Sequence, residues 1–213
     1  MRIDPAGLPF IGGSLLLAVV TTLWGGWAYA SLFIVCALFF LFFFRDPHRV
    51  VTAGDRAVLS PADGRVMVAG APTGQAFPKG TWKQISIFLS PMDVHVNRMP
   101  IGGRVTHVEY HPGRFLPAYK AEAGDLNEYT EVWIDHGGQR IVVRQIVGIL
   151  ARLIVCRTAV GAEVKAGDRY GVMKFGSRMD LFLPPDAVIK VKVGDKVSAA
   201  VTVIAELADV RQS

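Results

Sequence analysis

The sequence predicts a mainly β protein: a compact β-sandwich-like domain preceded by an N-terminal apolar α-helical hairpin. From Pro5 to Phe44, a run of 40 residues carries no charged side chain, and almost every Lys, Arg, Asp and Glu lies after it. Beyond Val50, short β-branched runs are broken by Gly, Pro and Asp, and long stretches of helical period are missing. Gly-Asp-basic turns also recur, at Gly54-Asp55-Arg56, Gly167-Asp168-Arg169 and Gly194-Asp195-Lys196. Glycine at the first central position suits a type II′ hairpin, and two related hairpins suggest internal pseudo-symmetry.

The chain of 213 residues has room for one good domain and an appendage. Its 51% hydrophobic content and mean hydropathy of +0.35 exceed what a soluble domain usually carries. We divide it into a membrane-associated hairpin, 1–49, and a polar β-rich domain, 50–213. The apolar run is long enough for two helices of the length a bilayer needs. Gly25-Gly26 sits near its middle, between Trp24 and Trp27, residues that suit a tight turn at a water–lipid boundary. The expected helices are Leu8–Leu23 and Ala28–Phe44. Each is short for a full crossing, so a spanning and a re-entrant hairpin both fit.

A secretory signal peptide fits poorly, because the apolar stretch is too long and ends in bulky phenylalanines. Arg2 before the first helix, and Arg45, His48 and Arg49 after the second, place both ends in the cytoplasm. The expected location is the cell membrane, with the 50–213 domain on the cytoplasmic face. The net charge of +5 suits an anionic membrane surface. No nucleic-acid motif accompanies it, so no nucleic-acid partner is expected. Cys36 and Cys156 fall in different media and read as reduced, unpaired thiols.

In the polar domain, Ile85–Leu89, Val132–Ile134, Ile141–Val143 and Ile189–Val193 read as strands. Arg114–Asp125 reads as a short helix or a loop. Three segments could carry chemistry. Ser60-Pro61-Ala62-Asp63-Gly64 taken alone is a turn. Ser90-Pro91-Met92-Asp93-Val94-His95-Val96-Asn97-Arg98 presents Asp93, His95 and Asn97 at period two. A lone histidine there is more often structural than catalytic, and two ligands do not make a metal site, so no metal is expected. His107, His111 and His136 are too scattered to complete one. In Lys174-Phe175-Gly176-Ser177-Arg178-Met179-Asp180, a serine follows a glycine between strand-like runs. A glycine has no Cβ to block attack on its carbonyl and tolerates strained backbone.

These segments, with Phe42-Phe43-Phe44-Arg45-Asp46-Pro47, Gly113-Arg114-Phe115 and Val143-Arg144-Gln145-Ile146-Val147-Gly148, occur in an order that resembles a known family. The chain is similar over nearly its whole length to the short, membrane-associated form of phosphatidylserine decarboxylase proenzymes. The resemblance implies self-cleavage between Gly176 and Ser177. A larger chain, Met1–Gly176, and a smaller one beginning at residue 177 would stay together as a heterodimer, with which further dimerisation is compatible.

It also implies that Ser177, His95 and Asp63 form a triad, with the histidine as base and the carboxylate holding its tautomer. Ser177 would become a pyruvoyl group, the only cofactor implied. A serine phospholipid would form a Schiff base with it and leave as the ethanolamine lipid, with His95 the first choice of proton donor. Two departures stand out. Arg98 occupies the place where many relatives, the long form especially, carry a second histidine, which leaves His107 or His111 as alternative donors. Asn127-Glu128-Tyr129-Thr130 replaces a common Asn-Glu-Arg-Asn.

Two rival readings come from other classes. A biotinyl- or lipoyl-type carrier or adaptor on a membrane hairpin would use Lys174 in Met173-Lys174-Phe175. A serine hydrolase would need a Gly-x-Ser-x-Gly elbow, and Phe175-Gly176-Ser177-Arg178-Met179 lacks both outer glycines.

Overall fold

The computed structural model describes residues 2–149, 153–174 and 176–209. The chain forms two compact units, Met1–His48 and Arg49–Ser213.

In the first unit, helix α1 (Leu8–Leu23) and helix α2 (Trp27–Phe43) make a hairpin. The stretch Pro5–Leu23 is long and apolar enough to cross a membrane; α2 is apolar and slightly shorter. The turn is closed by Gly25 at φ +75° and by a Gly26 N–H bond to the Thr21 carbonyl. Trp24 and Trp27 stand exposed at its tip. At the open end the Phe10 ring packs against Phe40 and Phe44, with centroids 5.3 and 5.7 Å away. Asp4 accepts the Ala6 N–H and starts the first turn, and Arg2–Ile3 pairs with Arg45–Asp46.

The second unit is mainly β. Its large antiparallel sheet contains, in chain order, β1 (Gly64–Gly70), β2 (Lys83–Leu89), β3 (Gly103–His111), β4 (Tyr129–His136), β5 (Gln139–Ile146), β6 (Glu163–Val164), β7 (Ser177–Leu183) and β8 (Lys196–Val197). Their order across the sheet is β6-β3-β4-β5-β7-β2-β1-β8. Two three-stranded sheets accompany it. One joins Val96–Arg98, Arg169–Met173 and Ile154–Cys156; the other joins Ala57–Leu59, Val203–Glu206 and Val188–Ile189.

The period-two alternation explains the layering. Ile85, Ile87 and Leu89 of β2 and Met179, Leu181 and Leu183 of β7 face one way. They form a single core with Val58, Met99, Tyr170, Met173 and Ile204 from the small sheets. The opposite face is also buried, which the alternation of β2 did not foretell. Gln84, Ser86, Arg144, Arg178 and Asp180 lie there, and the loops around Ala76 and Gly124 close against the two arginines.

The two Gly-Asp turns differ from the expected hairpins. In 165–168 and 192–195 the Asp N–H bonds back to the carbonyl three residues earlier. The Asp carboxylate in turn accepts the N–H of that same residue, Lys165 or Lys192. Gly167 and Gly194 therefore hold the third position with positive φ. Each turn joins strands of different sheets instead of two paired neighbours. The strand expected over Ile189–Val193 consequently stops at Ile189, because Lys192 already belongs to the turn. Arg114–Asp125 is mostly loop, ending in the short helix Ala123–Leu126.

Candidate active site

The segment from Met173 to Ser177 carries the chain from a small sheet to the large one. Ser177 opens β7, opposite Leu89, and shares the parity of Met179 and Leu181, so its side chain lies on the core side. It is fully buried, and its Oγ has no hydrogen-bond partner among the described residues. A buried hydroxyl without a partner costs free energy and asks for an explanation.

Gly176 precedes it at φ +75°, a conformation open to glycine and strained for other residues. Its carbonyl oxygen lies so close to Gly148 that a Cβ there would overlap it. Phe175 lies outside the described residues.

His95 immediately precedes Val96–Arg98 of the neighbouring small sheet. Its carbonyl accepts the Met173 N–H at 3.3 Å, which ties it to the strand leading into the crossover. The ring is buried, with Nδ1 3.0 Å from the Asp93 carbonyl oxygen. A carbonyl only accepts, so the ring proton belongs on Nδ1 and Nε2 is left as an acceptor. Nε2 receives the Gly176 N–H at 3.5 Å. The structure thus brings His95 to the residue preceding Ser177.

Asp63 arrives on the loop after Ala57–Leu59. That loop runs beside Val96–Arg98, where the Arg98 N–H bonds to the Pro61 carbonyl. One Asp63 carboxylate oxygen accepts the Ala199 N–H at 2.7 Å, and the other pairs with Arg49 at 2.8 Å. Burial raises its pKa above the ordinary 3.8, although the Ala199 N–H and Arg49 both pull it down; the nearby Asp93 charge adds to the rise. The group holding the ring tautomer here is the Asp93 carbonyl, while Asp63 anchors the adjoining loop.

Sequence reasoning missed Arg49, Gly148 and the backbone role of Asp93. Asp93 lies in a Ser90–Asp93 turn, its carboxylate accepting both the N–H and the O–H of Ser90. The expected period-two strand therefore begins only at Val96.

The remaining candidates separate clearly. His107 and His111 flank Glu109 on β3, at 3.0 and 3.3 Å, and are partly to largely exposed. His111 is in register with Tyr129, Ile146 and Arg178, hence on the sheet face opposite Ser177. His136 bonds the Gly102 carbonyl at 2.8 Å. Among the described residues, no three His, Cys, Asp or Glu are arranged to hold a metal. Arg98 is buried and donates to the Gly167 carbonyl. Asn127 is buried, its amide bonding Leu116 and Val147 and so holding the 116–127 loop beside Gly148.

That loop walls an apolar cavity of about 350 Å³ that reaches Gly176, lined also by Phe88, Pro91, Ala118, Tyr119 and Ile149. Phe88 also lines a second cavity, of about 390 Å³, together with Gly64, Arg65, Ser90, Asp93 and Lys196.

The comparisons with known proteins bear on this site. The phosphatidylserine decarboxylase family model matches residues 36–205. The chain is 43% identical over 202 residues to the phosphatidylserine decarboxylase proenzyme of Symbiobacterium thermophilum, covering 94% of each. It is 41% identical to that of Nitrosomonas europaea, covering 94% of this chain and 93% of the relative. It is 40% identical to that of Geotalea daltonii, covering 93% of each.

The class is therefore that of decarboxylases in phospholipid metabolism. The chain belongs to the phosphatidylserine decarboxylase family.

Proposed function

We propose that the chain is a proenzyme that cuts itself between Gly176 and Ser177 and then converts phosphatidylserine to phosphatidylethanolamine. The observation that carries this reading is the buried, unpartnered Ser177 hydroxyl, one residue from a glycine whose N–H meets the acceptor nitrogen of His95.

In the cut, His95 Nε2 takes the hydroxyl proton and Ser177 Oγ adds to the Gly176 carbonyl carbon. The C–N bond then breaks, the proton passes to the freed amine, and an ester joins the two residues. Loss of the Ser177 α-proton expels the Gly176 carboxylate and leaves dehydroalanine. Water converts that to a ketone with release of ammonia. Asp63 is the expected carboxylate of this triad; it stands on the adjoining loop, near enough to Asp93 for their charges to interact, and would act through the turn that carries the ring.

The cut would not release the smaller chain. Its first strand, β7, is hydrogen-bonded to β2 on one side and β5 on the other, both from the larger chain. The two products would therefore persist as a heterodimer.

Residue 177 fits a pyruvoyl group: it is buried, starts the smaller chain and carries a polar atom with no other use. Such a group supplies an electron-withdrawing ketone that stabilises the electrons left when the substrate carboxylate departs. His95 would deliver the proton to the substrate carbon. The apolar cavity reaching Gly176 would hold the lipid portion and exclude water. The helical hairpin would hold the enzyme to an anionic cell membrane, its basic flanks and the second unit on the cytoplasmic face.

Denaturing electrophoresis of the purified protein tests the reading. Two fragments are expected, the smaller blocked to stepwise N-terminal sequencing, with turnover abolished by hydroxylamine or borohydride. Full decarboxylase activity from an intact chain would overturn it.

A further inference from the structure

We infer that Arg65 and Lys196 form the subsite for the substrate's phosphodiester, an assignment that rests on the function proposed above. The two residues are partners in the β1–β8 register, so their side chains leave the same face of the sheet. Arg65 is also in register with Phe88, and Phe88 with Arg178, the residue after Ser177. One rung of the sheet thus runs from the cationic pair to Arg178, on the face opposite the Ser177 side chain, and on this face the apolar cavity bordered by Phe88 reaches the Gly176 backbone. At 4.7–4.9 Å per strand, Arg65 lies about 10 Å from Arg178. An arginine side chain covers much of that gap.

Phe88 borders both cavities, and its ring meets Tyr119 edge-on, with centroids 6.1 Å apart. In one the walls are apolar and end at Gly176. In the other they offer Arg65, Lys196 and Ser90. A serine phospholipid has the same partition: apolar glyceride, anionic phosphodiester, and an amino acid headgroup a few bonds beyond the phosphorus.

Arg65 spends one guanidinium N–H on the Gly194 carbonyl, at 2.6 Å, which braces the side chain and leaves other donors of its fork for an anion. The Asp93 carboxylate borders the same cavity. It accepts the N–H and the O–H of Ser90.

The test is steady-state decarboxylation by Arg65→Gln, Lys196→Gln and the double variant, with maturation followed on the same samples. Monomeric dihexanoyl phosphatidylserine, below its micellar concentration, is compared with phosphatidylserine in neutral vesicles. Each single variant should raise KM roughly tenfold and the double variant more, with kcat largely retained and two fragments still formed. The loss should appear equally with the monomeric substrate.

Unchanged KM in Lys196→Gln, whose main chain needs no repair, would overturn the assignment, as would a loss confined to vesicles, which would mark a membrane-surface contact instead. A wild-type protein that cleaves but does not decarboxylate would refute the parent reading and is told apart by that control.

Discussion

Gly148 lies flat against the Gly176 carbonyl, leaving no room for a side chain between them. Gly176, which supplies the carbonyl of the bond proposed for cleavage, is therefore held at both of its ends, by this contact at its carbonyl and by His95 at its N–H. Gly148→Ala would push the carbonyl away from its present line. Self-cleavage should slow roughly tenfold or more, equal to about 1.4 kcal/mol of barrier. The fraction of full-length chain against time on denaturing gels measures this. Cleavage at the wild-type rate would show that the close approach does not govern the reaction.

Ser177→Ala should block the cut and, unusually for a buried polar site, should not weaken the fold. The hydroxyl has no partner among the described residues, so its removal relieves a desolvation cost instead of breaking a bond. The expected outcome is a single uncut chain whose urea midpoint equals or exceeds that of a cleavage-deficient His95→Ala variant. A marked loss of stability would mean that Ser177 has a structural bond to lose.

Ser177 and His95 were singled out by short local patterns, a glycine–serine step between strand-like residues and a histidine after a Ser-Pro turn, and their proposed roles came from the family resemblance that those patterns carry. The helical hairpin was legible for the same kind of reason, since 40 uncharged residues leave few alternatives. What escaped was whatever a distant segment supplies. Arg49 reaches Asp63 across the fold, and the His95 tautomer is set by a main-chain carbonyl that any residue at position 93 would offer. Gln84 and Ser86 look like the solvent side of a strand. They are buried because Arg178 and Asp180 of β7 complete their hydrogen bonds under the covering loops. The Gly-Asp turns misled for a related reason, because hairpin and inter-sheet turn differ in where the next strand pairs, which no local pattern records.

Asp63 should leave a signature in the pH dependence of stability. Its folded pKa is raised above 3.8, chiefly by burial, so the native state binds this proton more tightly than the unfolded chain does. The associated stability is present below 3.8 and is lost as pH rises through the raised value. Urea midpoints of Ser177→Ala and Ser177→Ala/Asp63→Asn, measured from pH 3 to 7, isolate the effect. The parent should lose stability relative to the Asn variant as pH increases across that window. The opposite trend would show that the Arg49 pair outweighs desolvation at this site.

Arg178 and Asp180 make the most consequential ion pair of β7. Nε and Nη2 donate to the two carboxylate oxygens at 2.6 and 2.9 Å, both side chains are about 2% exposed, and Nη2 also reaches Ser86. Asp180→Ala would strand a guanidinium in this interior. Breaking a buried pair from one side costs about 3–5 kcal/mol, a large share of the roughly 5–15 kcal/mol that holds a domain together. Replacing both residues, as in Arg178→Met/Asp180→Leu, removes the charge along with its partner and should cost less than Asp180→Ala alone. Urea unfolding in the Ser177→Ala background separates the two cases without interference from cleavage. If the double variant were the weaker one, the pair would be a net source of stability, and packing on the loop-covered face would depend on its charges rather than merely tolerate them.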